Sequence, residues 1–77
     1  MKIWLVLEES IESQCGSNTT IEGAFASEKS ARAKLKSYAE DPPKFWNVVS
    51  SSEDEVVAEV GKWTRVFWIE DVVVEDA

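Results

Sequence analysis

Ile3, Leu5 and Leu7 fall to one side of an extended segment and Trp4 and Val6 to the other. Residues 2–8 therefore predict a strand, and apolar side chains on both sides predict that it is central. Residues 10–18, with Gln14, Gly16, Ser17 and Asn18, predict a long hairpin loop. A second strand is expected over 19–26, with Ile21, Gly23 and Phe25 on one face and Thr20, Glu22 and Ala24 on the other. The period then changes. Ser27 suits a helix N-cap, Glu28 complements the dipole in the first turn, and Ala31, Leu35, Tyr38 and Ala39 recur at helical spacing. The pattern predicts a helix over 28–40, stopped at Asp41 because the residue before Pro42-Pro43 is driven out of helical geometry.

Phe45 to Val49 predicts a third strand, followed by a turn at Ser50-Ser51-Ser52. The signals over 53–60 conflict. Ser52 with Glu55 matches a capping box, and Gly61 would suit a helix end. Val56, Val57 and Val60 are β-branched, however, and Gly61-Lys62 fits a two-residue type II′ hairpin turn, so strand is favoured. Trp63 to Val74 is the clearest strand of the chain. In the hairpin reading Val56, Ala58, Val60, Trp63, Phe67 and Ile69 share one face, and Val57, Glu59, Thr64, Val66, Trp68 and Glu70 the other. The fold expected is α+β in the order β-β-α-β-β-β: a mainly antiparallel sheet of four to five strands with one helix on one face.

Composition narrows the chemistry. Seventy-seven residues make a single domain, 1–77, with a modest core. There is no histidine, which removes the usual proton shuttle and metal ligand near neutral pH. The lone Cys15 has no partner for an internal disulfide and no nearby base to activate it, which suits a reducing cytoplasm. The apolar run at the N-terminus is too short for a signal sequence or a membrane span, so a soluble cytoplasmic protein is expected. A net charge of −7 argues against direct contact with nucleic acid, whose phosphates need a basic footprint. It allows the converse, an acidic surface that occupies a basic groove. The charge is also uneven: residues 27–40 carry four bases and two acids, whereas the rest carries thirteen acids and four bases.

One helix with a narrow apolar stripe can cover only one side of such a sheet. The covered side is expected to take Ile3, Leu5, Leu7, Ile21, Phe25, Phe67 and Ile69. The open side is expected to show Trp4, Val6 and Trp68 fringed by Glu8, Glu22, Glu59 and Glu70. Aromatic anchors within a charged rim are how docking surfaces are built. The candidate partner-binding residues are thus Trp4, Glu8, Glu22, Glu59, Trp68, Glu70 and Asp71. The acid clusters at 53–55, 70–71 and 75–76 also read as solvated turns and a terminus. Glu53, Asp54 and Glu55 lack EF-hand spacing, no nucleotide-binding motif occurs, and no metal or cofactor is expected. Glu59 and Glu70 share a face, but so short a chain offers little concave volume for a substrate, so no catalytic residue is assigned.

Two stretches, Ile21-Glu22-Gly23-Ala24-Phe25-Ala26-Ser27-Glu28-Lys29-Ser30-Ala31 and Val66-Phe67-Trp68-Ile69-Glu70-Asp71-Val72-Val73-Val74, resemble those of small uncharacterised domains of phages and bacteria. The likeness covers 2–8, 21–38 and 64–75, and its motifs mostly encode strand–turn–helix packing. The segment 42–62 departs from the shorter pattern. The resemblance implies a phage or mobile-element setting, in which small acidic proteins include inhibitors of host defence complexes that mimic nucleic acid. It carries over no catalytic residue. The expectation is a non-enzymatic module whose acidic, tryptophan-bearing face docks on a basic protein surface; the alternative is a homodimer closed through that same face.

Overall fold

The computed structural model describes residues 1–12 and 16–75. Five strands and one helix follow in the order β1 (Lys2–Glu12), β2 (Gly16–Phe25), α1 (Glu28–Glu40), β3 (Asn47–Ser51), β4 (Glu55–Val60) and β5 (Trp63–Val73). They form one antiparallel sheet in the order β2-β1-β5-β4-β3, with α1 lying over β1, β2, β4 and β5 on a single face. The expected β-β-α-β-β-β architecture is the observed one.

Local chemistry sets the helix ends where the sequence placed them. Ser27 is extended, and its hydroxyl accepts from the Ser30 backbone N–H at 3.2 Å; at the other end the Asp41 N–H closes on the Ser37 carbonyl just before Pro42. The conflict over 53–60 resolves as strand from Glu55. Val60 pairs with Trp63 across Gly61-Lys62, and Gly61 takes φ 60° while Lys62 does not enter the left-handed region, as a type II′ turn requires.

The first hairpin is longer than its sequence suggested. Strand pairing runs from Trp4↔Phe25 out to Glu12↔Gly16, so most of the expected loop is ladder, and residues 13–15, with Cys15, lie outside the described residues. The third strand begins two residues later than expected. The Trp46 N–H bonds the Pro43 carbonyl at 3.1 Å, and Phe45 sits at φ 78° in the resulting turn, 84% exposed.

The core lies between α1 and the sheet. Leu35 of the helix packs with Val56 and Phe67, flanked by Tyr38, Trp46, Val48 and Ile69. The Tyr38 and Phe67 rings stack at 4.1 Å between centroids, and Trp46 stacks on Phe67 at 5.6 Å. Val6, Ala31 and Ala58 complete it, all essentially without exposure.

Register fixes which residues share a face, and here two expectations are corrected. Val6 lies opposite Ile69 and Glu8 opposite Phe67, so Trp4, Val6 and Glu8 belong to the covered side. Ile3, Leu5 and Leu7 lie on the open side. Both parities of β1 are apolar near its start, so alternation alone could not say which faced the helix; a one-residue choice inverts the whole strand. The second correction is in β2. A bulge between Val6 and Leu7 of the pairing gives Glu22 no partner, placing Gly23 and Phe25 on the covered side and Ile21 on the open side, 61% exposed.

Candidate functional site

With the register known, the open face can be written out. β5 contributes Thr64, Val66, Trp68, Glu70 and Val72; Trp68 lies opposite Leu7 of β1 and Glu55 of β4, near the middle of the sheet. β1 adds Ile3, Leu5, Glu9 and Ile11, β2 adds Ala24, Ile21, Thr19 and Ser17, and β4 adds Val57 and Glu59. The apolar positions form a continuous field that no helix covers. Leu7 is nearly buried at 8% exposure, flanked by Trp68 and Ile21, whereas Trp68 is half-buried. The indole N–H of Trp68 donates to the Glu70 carboxylate at 3.1 Å, holding that charge beside the ring.

Charge on this face is one-sided. Its ionisable side chains are Glu9, Glu55, Glu59 and Glu70. Every base of the chain lies elsewhere: Lys29, Arg32, Lys34 and Lys36 on the helix, Lys2 and Arg65 on the covered side, and Lys44 and Lys62 in connections. The sheet thus separates a back carrying the cations from a front with acids alone.

The seven residues singled out by sequence divide between these two sides. Glu59, Trp68 and Glu70 share the open face as expected. Trp4 and Asp71 lie opposite each other on the covered side, with the Lys2 ammonium 5.7 Å from the Trp4 ring centroid and 2.9 Å from the Asp71 carboxylate. That hydrogen bond holds the Asp71 carboxyl below its usual range. Glu59 lies opposite Thr64, six residues from Glu70 along β5, or roughly 20 Å at strand rise. They are too far apart to act together as a carboxylate pair, which works at roughly 5–9.5 Å.

The carboxylates that do meet are Glu8 and Glu22. Burial alone would push the Glu8 carboxyl up, but hydrogen bonds from Glu22 and Ser10 and the Arg65 guanidinium outweigh it and hold it low. Glu22 is displaced the other way: it donates to Glu8, is partly desolvated and feels its neighbour's charge, so its carboxyl is held above the usual range. Arg65 is stacked between this pair and the Trp46 ring, 5.2 Å from its centroid. Ser10, Asn18, Thr20 and Trp63 join Glu8, Glu22 and Arg65 in lining a polar cleft of about 370 Å³. The sequence singles out Glu8 and Glu22, but for the open face, and Arg65 beside them is not among the candidates. The cluster's one signal, an acid at 22 beside Gly23, marks a bulge only once the pairing is known.

Among the described residues no group of three or more acids, cysteines or histidines is gathered as for a metal ion. No helix there is long and apolar enough to cross a membrane. The chain matches no family model, no curated protein and no solved structure.

Proposed function

We propose that this protein is a binding module that works by contact rather than by turnover, docking the open face of its sheet on a basic protein surface. The observation that carries the reading is the pairing of an uncovered apolar field centred on Trp68 with four glutamates and no base. Apolar area and a large aromatic supply the anchor, and a rim of one sign steers and orients a partner of opposite sign. A groove that ordinarily holds nucleic acid has that complementary charge. The phage setting implied by the sequence resemblance gives such a groove a source in a host defence complex, which the module would block. Self-association through the same face is opposed by the charges, because a symmetric pairing brings eight glutamates together with no cation to offset them.

The test uses purified nucleic-acid-binding domains with basic grooves, with lysozyme as a basic protein of different shape. Trp68→Ala combined with Glu59→Lys and Glu70→Lys should abolish binding to the grooved domains while the protein stays folded. Binding by the parent should weaken as salt rises and be displaced by the domain's own oligonucleotide. Unchanged affinity in the triple variant would reject this face as the interface.

A further inference from the structure

The two lateral strands of the sheet are guarded very differently. β3 is five residues long and is bulged at Val49, which interrupts its outer hydrogen-bonding row. β2 is ten residues long, and its bulge lies at Glu22, near the helix end. The stretch from Gly16 to Ile21 beyond it pairs regularly with β1, and each of its residues is exposed. Proteins protect such edges with lysine, proline, bulges or shortness, because an unpaired row of N–H and C=O groups accepts another strand. Gly16–Ile21 has none of these devices. It is uncharged throughout and belongs to the longest charge-free run of the chain, 13–21. Thr19, Thr20 and Ile21 favour extended structure.

Charge selects the occupant. In a chain of net charge −7, two copies repel across most of their surfaces, and most of all across the acid-only face. The β2 edge lets two copies approach without setting like charges opposite one another. We propose that two copies of this protein pair antiparallel through Ser17–Ile21, about a two-fold axis at Thr19, joining their sheets into one of ten strands. Thr19 then faces its own counterpart, Asn18 faces Thr20 and Ser17 faces Ile21, and the contact is self-complementary as a two-fold interface must be. A contact of about five residues per chain buries less than the roughly 1,000 Å² of a stable interface, so the dimer is weak. Both open faces remain uncovered and lie side by side, which favours a partner that carries two basic patches. The pairing does not depend on what the open face binds.

Sedimentation from micromolar to millimolar concentration tests the pairing. A monomer–dimer equilibrium is expected, and Ser17→Lys with Thr19→Lys should weaken it roughly ten-fold or more, since like charges then face each other. Thr19 lies opposite Glu9 of β1, so the new lysine suits the monomer's own fold. A second measurement locates the contact. In a Cys15→Ser background, Thr19→Cys should form a disulfide between copies under mild oxidation, and Ser50→Cys on the opposite edge should not. A monomer at millimolar concentration, association unaffected by the lysines, or crosslinking through position 50 instead would each overturn the proposal.

Discussion

Phe45 occupies the third position of the Pro43–Trp46 turn at φ 78°, where a side chain clashes with its own backbone and glycine is preferred. Its ring is 84% exposed, so burial returns little for that strain. Phe45→Gly should therefore stabilise the fold by about 1 kcal/mol, read from the midpoint of urea unfolding. Glu22 makes a different kind of prediction. Because its folded-state carboxyl is held above the ordinary value of 4.5, its contribution is full below that value and fades as pH rises through the folded one. Glu8 behaves oppositely, contributing above the ordinary value and losing its contribution as the pH falls. Glu22→Gln supplies the hydrogen-bond donor at every pH. Its melting temperature should exceed the parent's by more at ~pH 7 than at ~pH 4, because the parent loses its donor as the pH rises. An equal difference at both values would mean that the two carboxylates do not share a proton.

Elements were legible where their signals are local. Ser27 and Asp41-Pro42 bound the helix with hydrogen bonds and steric limits that act within a few residues, and Gly61 marks its hairpin by a backbone angle few other residues accept. Faces were legible in β4 and β5 because Glu55 and Glu59 mark one parity of β4 and the two-residue turn at Gly61-Lys62 carries that parity into β5. They were not legible in β1, where Trp4 and Val6 compete with Ile3, Leu5 and Leu7, nor in β2, where the bulge at Glu22 breaks the alternation midway. The helix depends on its few core contacts. Leu35, buried against Val56 and Phe67, should cost about 2–5 kcal/mol when cut to alanine, with the urea m-value unchanged if the transition remains two-state. A negligible loss would show that α1 is held by something other than this packing.

At the scale of the molecule, one helix and five strands produce two unlike sides. The covered side gathers the core, the Glu8–Arg65 pair and the helix cations. The open side keeps Trp68, its apolar neighbours and four glutamates. Of the candidate surface read from sequence, Glu59, Trp68 and Glu70 of β4 and β5 share the open face, while Asp71 of β5 lies on the covered side. The half built on β1 is turned over, with Leu5 and Leu7 standing where Trp4 and Val6 were expected. The open face stays apolar after that exchange because either parity of β1 supplies apolar area. The most direct measurement is to follow the backbone amides by NMR while a basic nucleic-acid-binding domain is titrated in. Shifts should concentrate on the open-face positions of β1, β4 and β5 around Trp68 and shrink as salt is raised, leaving α1 quiet. Shifts centred on α1 or the Glu8–Arg65 cleft, or insensitive to salt, would contradict the account.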